Sequence, residues 1–157
     1  MQRLDIILLW FSAIGCGLLA GLYFAFSAFI MTAFGRIDRA HGIAAMNSIN
    51  STIVRSLFMP LFLGTTLSCA ALAILAMFRW GEPGAAITLA GGLIYVVGMF
   101  GCTMVFNVPL NNELARAGAA DAGAVWARYL KRWTFWNHVR TLASTAAMAL
   151  FVAALAI

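Results

Sequence analysis

The sequence predicts an all-α protein: a four-transmembrane-helix bundle with a short amphipathic helix in each of its two longer connections. Three observations carry this. The 157 residues are 64% hydrophobic and 10% charged, with a mean hydropathy of +0.95, whereas a soluble domain is about half apolar and about a quarter charged. Runs long enough to cross a hydrocarbon core of about 30 Å, which takes about 20 helical residues, recur along the chain. Basic residues fall between those runs rather than along one soluble face, the pattern of positive-inside topology. A single integral membrane domain over residues 1–157 is expected, because the connections are too short to hold a second.

The first span is expected over 4–34, apolar apart from Asp5 and small hydroxyl residues. The run is unbroken, which disfavours a cleavable signal peptide. Gly15, Gly17 and Gly21 permit close approach of a neighbour, and Gly17 to Gly21 is a literal GxxxG. A polar interlude follows, in which Ile43, Met46, Ile49 or Asn50, and Ile53 recur at steps of three and four. That period predicts a short amphipathic helix at the interface or folded over the bundle mouth.

The second span is expected over 57–78, with Pro60 in its first turn, where a missing N–H does little harm. Gly81-Glu82-Pro83-Gly84 reads as a turn. The third span is expected over 85–106, with a helix break at Pro109. Val125 to Trp133 reads as a second interfacial helix, with Trp126, Tyr129, Trp133 and Trp136 as amphipathic anchors. The last span is expected over 135–157.

Arg36, Arg39, Arg55, Arg116, Arg128, Lys131 and Arg132 fall on the side of the long connections; Arg3, Arg79 and the terminal amine face the other. The long loops are therefore expected in the cytoplasm and both termini outside, in a bacterial inner membrane. This topology accounts for the net charge of +5 and leaves no basic domain for nucleic acid. The expected partners are the lipid bilayer and a lipophilic small molecule, with a homo-oligomer or a larger membrane complex left open.

Polar side chains gather near the ends of the last two spans. Amides, an imidazole and a guanidinium are costly near hydrocarbon unless partnered, so they mark a candidate site. Trp133, Asn137, Arg140 and Ser144 share one helical face, and Thr134, His138, Thr141 and Thr145 form the adjacent stripe. Together they are expected to face inward. Arg140 either snorkels to headgroups or holds an anionic, phenolate-like group, neutralised when empty by Glu113 or Asp38. His138 is a candidate acid, base or metal ligand, and the alternative is a simple hydrogen-bonded histidine. Asn50, Asn107, Asn111 and Asn137 either tie helices together or cap a flat apolar ligand by its carbonyl or hydroxyl groups. Trp133, Trp136, Phe106, Phe26 and Tyr23 are candidate aromatic walls.

No cofactor is expected. His41 and His138 are the pair through which haem or a metal would bind, but they lack the spacing of a metal motif. Cys16, Cys69 and Cys102 fall in separate apolar runs without ligand spacing and read as buried small hydrophobes. There is no dinucleotide fingerprint, no phosphate loop and no pair of intramembrane acids.

Four stretches, GLYFAFSAFIM (21–31), GIAAMNSIN (42–50), TMVFNVPLNNEL (103–114) and WARYLKRWTFWNHVRTLAS (126–144), together resemble the anthrone oxygenase-like (DUF1772) family across nearly the whole chain. The resemblance implies a small four-span membrane protein. It also implies oxidation of anthrones to anthraquinones with O₂ and no established cofactor, the role of the few members that have one. Asn107, Pro109, Asn111, Trp133, Trp136, Asn137, His138 and Arg140 match its characteristic positions, joined by Phe26, Ser27, Met46 and Asn50. The family commonly has Met-Pro after its FS motif; here Met31-Thr32 stands there, so a helix break is not dictated. The expected catalytic residues are His138, Arg140 and Asn137; the expected substrate contacts are Asn50, Asn107, Asn111, Trp133, Trp136 and Phe26. In this reading His138 removes a proton from a phenolic or anthrone-type substrate, while Arg140 and the asparagines hold the resulting anion. The alternative is a non-catalytic accessory subunit or a quinone- or lipid-binding protein; a small transporter is a third reading.

Overall fold

A computed structural model describes residues 3–157, apart from the side chain of Arg3. The described residues form five helices and no strand. They are α1 (Leu4–Phe34), α2 (Arg39–Ile53), α3 (Phe58–Phe78), α4 (Ala85–Arg116) and α5 (Ala122–Leu155). All except α2 are long and apolar enough to cross a membrane, so this is an integral membrane protein by length and composition.

Two expectations are corrected. Helix α4 does not break at Pro109 but continues to Arg116. Its middle widens into π-helical turns over Ile94–Gly101 and Thr103–Asn107, and Pro109 falls in the first turn of the regular α-helix that follows. There its missing N–H costs little. Residues 125–133 are not a separate helix either. They are the start of α5, a single run of 34 residues. The amphipathic helix expected in the first connection is present as α2, capped by Asp38, whose carboxylate accepts from the Ala40 N–H at 2.8 Å.

Helix α1 packs against α3 and α5, and α4 against the same two, while α2 lies across one end against the last turns of α4 and the start of α5. Without a hydrophobic drive between helices in lipid, small residues decide how close they come. A Cβ at Gly92 would stand 2.6 Å from the Cys69 carbonyl oxygen, and one at Gly42 would stand 2.7 Å from the Trp126 ring. The GxxxG pair does not act as one seam: a Cβ at Gly17 would meet Met148, whereas one at Gly21 would meet no neighbouring helix within 4 Å. Gly81 and Gly84 close the α3–α4 turn at φ of 99° and 81°, where other residues are strained. At that end Arg79 pairs with Asp5.

Two apolar clusters fill the bundle. One holds Leu19, Tyr23, Phe62, Tyr95, Met99 and Phe151. The other, toward α2, includes Phe26, Met46, Leu114, Trp126, Tyr129 and Trp133. Trp126 and Tyr129, expected as interfacial anchors, are buried there. All three cysteines are free and buried. Arg140 lies where the two clusters meet, over the Tyr23 ring of one and the Trp133 ring of the other.

Candidate functional site: a cationic, aromatic chamber at the α2 end

The face of α5 that turns inward carries Trp126, Tyr129, Trp133, Asn137, Arg140 and Ser144, all buried. Steps of three and four hold them on one stripe. The rings of Trp126, Tyr129 and Trp133 follow one another at centroid distances of 5.7 and 5.8 Å, and Phe26 from α1 meets Trp133 at 5.6 Å. Below this stack the Arg140 guanidinium lies 4.3 Å from the Tyr23 ring centroid and 5.0 Å from that of Trp133. Arginine stays protonated in proteins, so this is a cation held between two aromatic faces.

Asn137 positions it. Its amide donates to the Tyr23 carbonyl and to the Ser27 hydroxyl, both at 2.7 Å, while its Oδ1 accepts from Arg140 Nη2 at 2.6 Å. The Tyr23 carbonyl stands just before the π-helical turn of α1 at Phe26–Ile30. Such turns disturb the helical ladder and commonly occur at functional sites. Asn137 therefore fastens α1 to α5 and fixes the guanidinium in the same gesture.

No carboxylate neutralises Arg140 among the described residues. The two expected to do so are engaged elsewhere: Glu113 pairs with Arg128, and Asp38 caps α2. A buried charge without a counterion costs several kcal/mol in desolvation. Cation–π contacts of about 2 kcal/mol each when desolvated offset part of that cost.

Next to Arg140 is a cavity of about 300 Å³ bounded by α1, α2, α3, α4 and α5. Asn50, Thr103, Asn111 and Arg140 supply its polar lining and Tyr23, Phe26, Phe58, Phe62 and Trp133 its aromatic lining, and the remainder is aliphatic or methionine. Among the described residues, three buried side-chain nitrogens lack a hydrogen-bond partner: Asn50 Nδ2, Trp133 Nε1 and Arg140 Nε. All three belong to residues that line this cavity. Each unsatisfied buried donor costs about 1–3 kcal/mol. The chamber thus holds a surplus of N–H donors and a positive charge. Asn111 adds no free acceptor of that kind, since its Oδ1 takes the Tyr129 hydroxyl at 2.8 Å.

The structure brings Arg140, Trp133, Phe26, Asn50 and Asn111 around one cavity, with Asn137 directly behind Arg140. Other expected residues lie apart. His138 is exposed on the opposite face of α5, beside Lys131, Arg132, Phe135 and Trp136. The adjacent stripe, expected to face inward, is split: the Thr141 hydroxyl meets that of Ser27 on α1 at 3.3 Å and Thr134 is half-buried, whereas His138 and Thr145 are exposed. Trp136 stacks on Phe106 at 3.6 Å, nearly parallel, outside the chamber. Asn107 is buried, but it ties α4 to α5 by donating to the Trp133 carbonyl at 3.3 Å. His41 is exposed on α2. Among the described residues no three His, Cys, Asp or Glu side chains gather as metal ligands would.

Tyr23 was expected only as a wall, and Tyr129, Met46 and Thr103 went unassigned to the site. Tyr23 could have been found: Ser12, Cys16, Leu19, Tyr23 and Phe26 repeat at steps of four, three, four and three, and all are buried.

Fold and chamber together define a small integral membrane protein with a cationic, aromatic-walled cavity among its helices. The family profile described as anthrone oxygenase matches residues 52–150, more than half of the chain. The chain belongs to that family, and its function is accordingly membrane oxygenase-like. The matched stretch contains Asn107, Asn111, Trp133, Trp136, Asn137, His138 and Arg140; Tyr23, Phe26 and Asn50 precede it. No curated protein and no solved structure matches the chain.

Proposed function

We propose that the chamber binds a lipophilic phenolic or anthrone-type substrate in its ionised form and promotes its oxidation by O₂. One observation carries this reading: an uncompensated buried guanidinium and two further unpartnered N–H donors, Trp133 Nε1 and Asn50 Nδ2, belong to one aromatic-walled cavity. Such a donor set favours oxygen bearing developing negative charge.

The chemistry balances without further reductant. A methylene opposite the carbonyl loses a proton to water, the lining itself holding no carboxylate or imidazole, and gives an enolate whose charge rests largely on oxygen beside Arg140. O₂ adds at the deprotonated carbon and, with a proton returned, gives a hydroperoxide. Loss of water then leaves a second carbonyl, so CH₂ and O₂ become C=O and H₂O. Arg140 lowers the substrate's own pKa, because a nearby cation favours the anion. Asn137 keeps the guanidinium in place. His138, on the outer face, takes no part.

Oxygen uptake by the purified protein with an anthrone tests this. Uptake well above buffer is expected, and His138→Ala is expected to retain it within about threefold, the scale on which an exposed side chain remote from the site acts. Uptake equal to buffer would leave a second reading. That reading is favoured by the absence of any carboxylate or imidazole from the chamber lining: a non-catalytic binder whose N–H donors meet the carbonyls of a quinone.

The seven basic residues near the α2 end support a cytoplasmic placement of that end in a bacterial inner membrane, with both termini outside. A reporter fused after Ile157, active only outside the cytoplasm, checks this; activity confined to an α2-loop fusion would reverse it.

A further inference from the structure

The chamber is closed unequally. On the α5 and α1 side it is walled by Arg140, Trp133, Tyr23 and Phe26. On the α3 and α4 side the wall thins. Helix α3 packs on α1 and on the Ala85–Gly101 part of α4, but makes no comparable contact with the later part that runs to Arg116. The two helices diverge toward the α2 end, and the residues bordering that divergence are all apolar: Val54, Phe58 and Met59 on one side, Met104 and Val108 on the other. Val54 and Met104 are exposed on the flank of the bundle. Such a gap in a transmembrane bundle faces acyl chains, and its apolar lining matches them.

Size separates the two halves. A cavity of about 300 Å³ is at the small end for a ligand pocket. It accommodates one fused ring system, and any further apolar group must leave through the α3–α4 gap. The unpartnered donors of the lining, Arg140 Nε, Trp133 Nε1 and Asn50 Nδ2, lie on α5 and α2 and not on the α3 and α4 residues of the gap, so a ligand entering by the gap arrives with its acceptor end first.

We propose that the gap between the start of α3 and the last turns of α4 is a lateral portal from the bilayer, and that the natural ligand is a phenol- or quinone-type ring bearing an aliphatic tail that remains in the portal. This rests on the reading of the chamber as the substrate site and narrows it to ligands drawn from the membrane. The tail lies against Met59, Met104 and Val108 while the ring oxygen lies near Arg140.

The test uses the full chain in lipid nanodiscs and a hydroquinone whose alkyl tail ends in a photoactivatable diazirine. Irradiation followed by peptide mapping is expected to label the segments holding Val54 to Met59 and Met104 to Val108. The unlabelled tailed hydroquinone should suppress that labelling at least about tenfold more effectively, at equal mole fraction in the membrane, than the tail-less ring. Arg140→Met should abolish the competition, and Met104→Trp, which fills the gap, should reduce labelling of the Val54 to Met59 segment. Uniform labelling of lipid-facing residues such as Phe24 and Leu67, with no competition in the wild type, would overturn the portal. If a ring's binding depends on Arg140 while the tail never labels the α3–α4 gap, lateral access fails and the chamber stands. If binding of neither ligand depends on Arg140, the chamber reading itself fails.

Discussion

Arg140→Met is expected to reduce oxygen-consuming turnover by about 10²–10³-fold, the usual cost of removing a donor aimed at a developing oxyanion. Stability should nevertheless change by less than about 2 kcal/mol. Two losses accompany the substitution: Asn137 Oδ1 loses its donor, and the Tyr23 and Trp133 rings lose their cation. Against these stands relief from burying a charge that no carboxylate neutralises. Apolar replacement of buried ionic groups is often neutral or stabilising for that reason. Thermal unfolding in detergent, read beside oxygen uptake, separates the roles. A guanidinium kept for structure would lose stability and activity together; one kept for a ligand loses activity alone.

Asn137→Leu is expected to show the opposite balance, destabilising the bundle by about 3–5 kcal/mol. Asn137 is completely buried and serves three partners, the Tyr23 carbonyl, the Ser27 hydroxyl and Arg140. Leucine fits the volume and satisfies none of them, removing the side-chain donor to the Tyr23 carbonyl and leaving a buried cation unheld. Each unmet polar group costs about 1–3 kcal/mol, and more when charged. Asn137→Asp sharpens the comparison. It supplies the missing carboxylate to Arg140, so it should recover much of the stability while neutralising the charge that draws the ligand. A large fall in melting temperature for Leu, a smaller one for Asp, and loss of turnover in both are the expected results. Equal stability of all three proteins would show that Asn137 is not the fastening of α1 to α5.

Much of this was legible in the residues, for identifiable reasons. Apolar runs locate the membrane helices because the bilayer sets a minimum length, and Asn137, Arg140 and Trp133 fall on one stripe because helical spacing fixes it. Their neighbour His138 shows where spacing stops informing. Spacing does not say how far a second polar stripe follows the first inward: Thr141 reaches Ser27 of α1, whereas His138 on the same stripe does not turn in. Asn137 finds the Tyr23 carbonyl and the Ser27 hydroxyl; His138 stays exposed beside Lys131 and Arg132.

Helix continuity was misread in a consistent way. Residues 125–133 are rich in basic and aromatic side chains, so hydropathy falls and a separate interfacial helix is suggested. Yet neither glycine nor proline occurs between Ala124 and Ile157, and nothing compels the helix to end. Pro109 misled for the converse reason. A proline reads as a break, but a helix already widened by π-helical turns at 94–107 passes it by restarting a regular first turn there. The neutralisation expected of Glu113 failed for a local cause, since Arg128 is its nearer partner across the α4–α5 junction. The lateral gap left no trace in periodicity, because it arises from the divergence of two helices that each read as ordinary spans.

The central claim is that Arg140 makes the chamber a receptor for an anion. Its most direct test is the absorption spectrum of a chromophoric phenol bound to the protein, followed as a function of pH. A low-dielectric site alone raises a phenol's pKa, whereas an adjacent uncompensated cation lowers it. The wild type is expected to hold at least about tenfold more phenolate than the same phenol in lipid at a given pH, a difference of about one pH unit, and Arg140→Met to return it to the lipid value. A bound phenol that ionises no more readily in the wild type than in lipid, or identically in both proteins, would contradict the account.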